Sequence, residues 1–173
     1  MLRNIIAFLL LWLGLVIESS LFQIPPLDTI QPNLVLIILM VVSVTRGPRT
    51  ALVLGVLIGL VQDVDFGSFI GIDAFTYGFI AYFAATVLSQ FLQRNIAITF
   101  LFTVVFTFVQ EWMTFGFTRL FDITGFAWNT AMTQTVWQMM VNGVFLLLLY
   151  PLLTKLLVPP EKRSYASSHE DMM

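Results

Sequence analysis

Long apolar runs separated by short polar segments divide this chain of 173 residues. A membrane-spanning helix needs about 20 mostly apolar residues, because each residue rises about 1.5 Å and the hydrocarbon core is about 30 Å thick. Four runs meet this length, at residues 2–22, 69–90, 96–118 and 131–158, and the last has Pro151 near its end as a predicted kink. The pattern therefore predicts at least four membrane-spanning helices.

Two shorter apolar segments, residues 34–44 and 51–61, are joined by the basic turn TRGPRT. A re-entrant hairpin would leave Arg46 and Arg49 at membrane depth, at about 2.5 to 3.5 kcal/mol each. If each segment includes its flanking residues, 28–45 and 48–65 become two nearly full-length spans and the turn reaches water. We therefore predict six transmembrane helices.

Composition agrees with a membrane protein and narrows the function classes. The chain is 58% hydrophobic and 10% charged, against about 25% charged in soluble domains. Its net charge of -2 provides no basic surface for nucleic acid, and the absence of cysteine excludes disulfides and thiolate metal sites. The sequence predicts an all-α integral membrane protein that binds no nucleic acid.

The positions of Lys and Arg predict the orientation, because they accumulate in cytoplasmic loops. With the N-terminus inside, only Arg119 is external. The cytoplasmic residues are then Arg3, Arg46, Arg49, Arg94, Lys155, Lys162 and Arg163. We expect both termini in the cytoplasm, with a six-helix transmembrane domain at residues 1–160 and a short, polar, disordered tail at 161–173.

Three carboxylates, Asp63, Asp65 and Asp73, stand in the segment GLVQDVDFGSFIGID, at the predicted outer ends of the third and fourth spans. Steps of four residues back from Asp63 reach Gly59 and Gly55. Small residues on one stripe favour close helix packing, so Asp63 is predicted to face protein rather than lipid.

An alternative interpretation makes Asp63 and Asp65 solvated loop acids, with Gly67 and Gly71 serving only to turn the chain. The stripe of glycines alone does not separate the two interpretations.

Polar residues also share faces on other spans. They are Glu18 on the first span, Thr103, Thr107 and Glu111 on the fifth, and Gln134, Gln138 and Asn142 on the sixth. Glu18, Glu111, Gln134 and Gln138 occupy the predicted outer half of their helices, and an ionisable residue at such depth usually faces a bundle interior or a wet cavity. We therefore predict a polar pocket or groove open to the outside. The alternatives are that the Thr, Gln and Asn residues only join helices, or that a partner protein covers this face.

Enzymatic chemistry has little support. The only histidine is His169 in the tail, which excludes His-based triads and HExxH zinc sites in the bundle. A carboxylate dyad drawn from Asp63, Asp73 and Glu111 would require a close approach that spacing does not show. We predict no enzyme activity, no cofactor and no metal.

The order of several motifs resembles the bacterial rod shape-determining protein MreD family. These motifs are QPNLVLIILMVV (31–42), RGPR (46–49), LGVLIGLVQDVDFGSFIGIDAFTYGFIAYFAA (54–85) and VNGVFLLLLYPLL (141–153). The positions that match the family pattern are Pro32, Asn33, Gly59, Asp63, Gly67, Gly71, Asn142 and Gly143. Asp65 and Phe66 depart from it, because the family often has an aliphatic residue and then Ser there.

The resemblance implies a non-enzymatic component of the cell-wall elongation machinery in the bacterial inner membrane. It implies partnership with the bitopic protein MreC, a RodA-type glycosyltransferase and its transpeptidase, and indirectly the cytoskeletal protein MreB. It also implies a fold similar to the substrate-capture subunits of energy-coupling-factor transporters, which bind their ligand near the outer face.

Two hypotheses follow. In the first, the protein is a membrane scaffold whose outer groove receives a transmembrane or juxtamembrane segment of an MreC-like partner. The groove would be lined by Glu18, Asp63, Glu111, Gln134 and Gln138. In the second, the same pocket holds a small polar solute for a transporter.

Overall fold

The computed structural model describes residues 2–22, 31–67, 69–90, 95–123, 125 and 127–157. In these ranges the chain forms six α-helices and no strands. The helices are α1 (Leu2–Leu21), α2 (Leu34–Thr45), α3 (Pro48–Phe66), α4 (Ile72–Gln90), α5 (Ile96–Leu120) and α6 (Trp128–Leu157). The prediction of six helices is confirmed.

Three of the helices are long and apolar enough to cross a membrane: α1 from Arg3, α5 and α6. The apolar segments Leu34–Thr45 and Ile72–Leu88 are shorter. Six complete spans and two cytoplasmic termini therefore stay predictions. The predicted tail at 161–173 lies outside the described residues, as do Arg94, Asp28 and His169.

The predicted helix at residues 28–45 is wrong at its beginning, because Gln31, Pro32 and Asn33 are not helical and α2 starts at Leu34. Asn33 is the N-cap, and its side chain accepts a hydrogen bond from the backbone N–H of Leu36. A helix of 12 residues is about 18 Å long, which is little more than half of the hydrocarbon core. The helix therefore begins inside the bundle rather than at its surface.

Helix α2 is the centre of the fold. Every residue from Leu34 to Ser43 is buried, and α2 contacts α1, α3, α4, α5 and α6. This burial explains why its sequence, LVLIILMVVSVT, is apolar on all sides and lacks an amphipathic stripe.

Helices α3 and α4 form the most extensive helix pair. A Cβ added to Gly55 would lie 2.6 Å from the carbonyl oxygen of Tyr77, and one added to Gly59 would lie 2.5 Å from the Cα of Ala74. The stripe of small residues thus lies directly against the backbone of α4, and Asp63 is buried at its end.

We call the end at which α1, α3 and α5 finish the outer end, and the opposite end the inner end. At the inner end Arg46 follows α2, and its Nη2 donates to the carbonyl oxygens of Arg3 (3.4 Å) and Leu157 (3.5 Å). Arg49 is exposed beside it. The basic turn therefore links the inner ends of α1 and α6.

Candidate functional site

Three polar groups meet the start of α2. The first backbone N–H groups of a helix have no partner within it, and inside a membrane protein they need other acceptors. The N–H of Leu34 donates to Glu18 Oε2 (2.9 Å) and the N–H of Asn33 to Asn142 Oδ1 (2.8 Å). The N–H of Leu36 donates to Asn33 Oδ1 (2.7 Å). Residues from α1 and α6 thus stabilise a helix start that lies inside the bundle.

Helix α6 contributes a second set of bonds to this network. Asn142 Nδ2 donates to Thr107 Oγ1 (3.1 Å) on α5, and Gln138 Nε2 donates to the carbonyl oxygen of Gln31 (2.8 Å). Asn142, fully buried, joins α5, α6 and the segment before α2. Asn142, one of the positions that match the family pattern, therefore has a structural role.

Tyr77 is a member of the network that sequence reasoning missed. Its hydroxyl lies 2.9 Å from Asn33 Nδ2, and the side chain is fully buried on α4. Tyr77 stands four residues after Asp73, on the same helical face. That spacing could have indicated that Tyr77 shares a polar face with Asp73, but the other residues of α4 are mostly apolar.

A cavity of about 390 Å³ lies beside the start of α2. Its lining is almost entirely polar: Glu18, Gln31, Asn33, Glu111, Gln134, Trp137 and Gln138. Asn33 is buried at its base, whereas Gln31, Gln134 and Trp137 are exposed. Four of the five residues predicted to line an outer groove therefore meet in one cavity.

Glu18 and Glu111 face this cavity in different states. Glu18 accepts a backbone N–H from α2, so part of its hydrogen-bonding capacity serves the fold. Glu111 makes no hydrogen bond and no ion pair within the described ranges, and the same is true of Gln134. Glu111 is thus the carboxylate in the cavity that has no role in holding the described helices together.

A smaller cavity of about 160 Å³ adjoins the first and shares Glu18 and Gln31 with it. It also reaches Gln62 and Phe66 near the end of α3. Glu18 therefore stands between two polar spaces at the outer end.

Asp63, the fifth residue predicted for the groove, does not line the larger cavity. Its side chain is only 2% exposed and accepts three backbone N–H groups, from Gly71 (2.9 Å), Asp73 (3.0 Å) and Ala74 (3.0 Å). The solvated-loop interpretation is therefore wrong for Asp63. Its carboxylate caps the start of α4 and holds the loop that precedes it.

The loop around Asp63 uses its glycines differently. Gly71 has a φ of +112°, in the left-handed region that favours glycine. A Cβ on Gly67 would lie 2.5 Å from the carbonyl oxygen of Asp63. Both glycines thus let the chain turn tightly over the carboxylate.

The other two carboxylates of this segment have different surroundings. Asp65 is exposed at the end of α3, as the loop-acid interpretation expects. Asp73 is partly buried in the first turn of α4 and lies close enough to Glu18, Asp63 and Glu111 to interact electrostatically. The outer end thus concentrates negative charge.

The threonines of α5 bond mainly to their own helix. Thr103 Oγ1 donates to the carbonyl oxygen of Thr99 and Thr107 Oγ1 to that of Thr103, both at 2.8 Å. A Cβ on Gly143 would lie 2.8 Å from the Phe100 ring, so Gly143 brings α6 close to α5. These residues serve helix packing rather than the cavity.

Metal binding finds no support in the described ranges, where no three His, Cys, Asp or Glu side chains gather as ligands. The site offers amides, carboxylates and one indole around a polar space. Such a lining suits hydrogen bonding and binding of positive charge rather than bond cleavage.

Comparison with known proteins yields one result. The profile of the family described as rod shape-determining protein MreD matches residues 1–158. No curated protein and no solved structure matches the chain.

Proposed function

This chain belongs to the MreD family of rod shape-determining proteins, and we propose that it acts as a non-enzymatic membrane scaffold of the cell-wall elongation machinery. In this proposal it crosses the bacterial inner membrane six times with both termini in the cytoplasm. It binds an MreC-like bitopic partner directly. Through that complex it biases a RodA-type glycosyltransferase and its transpeptidase toward activity, and it is linked to the MreB-like cytoskeleton indirectly.

The polar cavity at the outer end is the observation that supports this proposal. A cavity of about 390 Å³ with an exposed rim is a place where a segment of a second membrane protein could enter. The network of Asn33, Asn142 and Glu18 fixes the base of the cavity. A partner would therefore meet a rigid surface, which reduces the entropy lost on binding.

The carboxylates on either side of the α3–α4 loop have separate parts in this proposal. Asp65 is exposed at the outer end. Together with Asp73 it would orient the outer segment of the partner. Asp63 would act indirectly, by holding the loop between the two helices on which they stand.

A second candidate function is solute binding on behalf of a transporter. The observation that favours it is the lining, in which four amide side chains and two carboxylates surround one space. A space of this volume holds about a dozen water molecules at roughly 30 Å³ each, or a small polar ligand. In that case the fold would resemble the substrate-capture subunits of energy-coupling-factor transporters, with an energising partner elsewhere.

Co-purification separates the two candidates. The tagged protein is extracted from native membranes in mild detergent, and the co-eluting polypeptides are identified by mass spectrometry. We expect an MreC-like protein together with synthase subunits. An ATPase pair with a coupling membrane subunit would overturn the scaffold proposal.

A bulky substitution at the rim localises the binding. Gln134→Trp should narrow the cavity and reduce the recovered partner, because Gln134 lines the space without bonding to any described residue. The matched control is Met132→Trp, on the same helix but away from the cavity and 49% exposed. Equal recovery from both variants would place the partner elsewhere.

A further inference from the structure

Acidic residues outnumber basic residues at the outer end of the described structure. Six acidic residues are described there: Glu18, Asp63, Asp65, Asp73, Glu111 and Asp122. The described basic residue at this end is Arg119. Its guanidinium lies over two aromatic rings, 5.9 Å from the centroid of Phe115 and 5.6 Å from that of Trp128. The cavity itself is lined by no Lys, Arg or His among the described residues.

The other basic residues that the structure describes lie away from the cavity. Arg3, Arg46, Arg49 and Lys155 lie at the inner end of their helices. No described basic residue therefore supplies a cation to the cavity.

Glu111 is the group that such a cation would meet. It lies about 22 Å from the start of α5, at a depth where an unpaired carboxylate is costly. Among described residues nothing donates a hydrogen bond to it. Trp137 also lines the cavity, and cations bind favourably to indole rings.

We infer that the outer cavity receives a Lys or Arg side chain of the partner protein, which pairs with Glu111. The cavity accommodates either side chain, and its amides at Gln134 and Gln138 offer further acceptors to an ammonium or guanidinium group. This inference rests on the proposed scaffold function and names the chemistry of its contact. A basic residue in this position would make the contact specific, because no described residue that lines the cavity neutralises Glu111.

The test compares two substitutions that remove one negative charge from the outer end of α5. Glu111→Gln should reduce the partner recovered per tagged protein by about tenfold or more, since loss of a buried charge partner weakens complexes strongly. Asp122→Asn removes an exposed charge and should leave recovery within about twofold. Thermal melts of both purified variants verify that each is folded.

Charge reversal identifies the partner group. Glu111→Lys should abolish recovery, and suppressors selected in cells that depend on this protein should replace one Lys or Arg of the partner with a neutral or acidic residue. Wild-type recovery with folded Glu111→Gln would overturn the inference while leaving the scaffold function intact. A wild-type protein that recovers no partner would overturn both. A tightly bound aminophospholipid, lost on Glu111→Gln while partner recovery is unchanged, would overturn it in favour of a lipid ammonium group.

Discussion

Two of the helices that begin at the outer end are capped by a carboxylate from the preceding helix. Asp63 of α3 caps α4, and Glu18 of α1 caps α2. The start of α4 packs closely against α3, because Gly59 lets the backbone of α4 approach. The Asp63 carboxylate has three N–H partners and lines neither polar cavity. The start of α2 is open, since Glu18 borders two cavities.

The difference shows that a carboxylate cap can either complete the packing of two helices or form part of a cavity lining. At α4 it completes a close helix pair, and the carboxylate itself is buried. At α2 it stabilises a short helix that begins inside the bundle, and a polar cavity lies beside that start. The following variants test this contrast, from the largest expected effect to the smallest.

Asp63→Asn should have the largest effect on stability. An amide keeps one uncharged acceptor oxygen for three N–H groups, so at least one backbone N–H is left without an acceptor. We expect a loss of about 3 kcal/mol in the free energy of unfolding, measured by SDS titration or steric trapping. Asp65→Asn is the matched control and should change it by less than about 0.5 kcal/mol. Equal losses would mean that Asp63 does not cap α4.

Gly59→Ala should come next, because its Cβ would lie 2.5 Å from the backbone of Ala74. Helices α3 and α4 would have to separate, at about 1 to 3 kcal/mol. Gly116→Ala, within α5 and with open space around its Cβ, should instead stabilise by about 0.5 to 1 kcal/mol. Thermal melts in detergent compare the two variants, and a neutral Gly59→Ala would argue against the close α3–α4 contact.

Glu18→Gln should destabilise less than Asp63→Asn, by about 1 kcal/mol. The amide oxygen still accepts the N–H of Leu34, and Asn33 and Asn142 keep their own bonds at this start. The same unfolding titration measures the difference. A loss as large as that of Asp63→Asn would show that both helix starts depend equally on their carboxylates.

Glu111→Gln should leave the free energy of unfolding unchanged or raise it, because Glu111 bonds to no described residue and an unpaired carboxylate at this depth is costly. Together with a loss of partner recovery, this result would separate binding from folding. A marked loss of stability would instead make Glu111 a structural residue like Asp63.

Much of the cavity was predictable because helical periodicity places residues four apart on one face. Glu111 follows Thr103 and Thr107, and Gln134, Gln138 and Asn142 follow one another on α6. Their depth followed from the rise per residue. The periodicity could not assign their partners, because contacts such as that between Asn142 and Asn33 join residues far apart in the chain.

Asp63 shows where local pattern ran out. The glycine stripe predicted that it faces protein, and the motif order matched that of the MreD family. Whether its oxygens remained free depended on the path of the loop through Gly67 and Gly71, which brings three N–H groups back to it. Spacing along α3 carries no information on that path.

The sequence alone determined the membrane character, the six helices, the family and the outer position of the polar residues, because these depend on composition, apolar run length, motif order and helical period. Only the tertiary structure decided that α2 is short and central, that Asp63 and Glu18 serve as caps, and that Glu111 is left without a partner among the described residues. These outcomes depend on which helix ends meet in space, and long-range packing sets that arrangement.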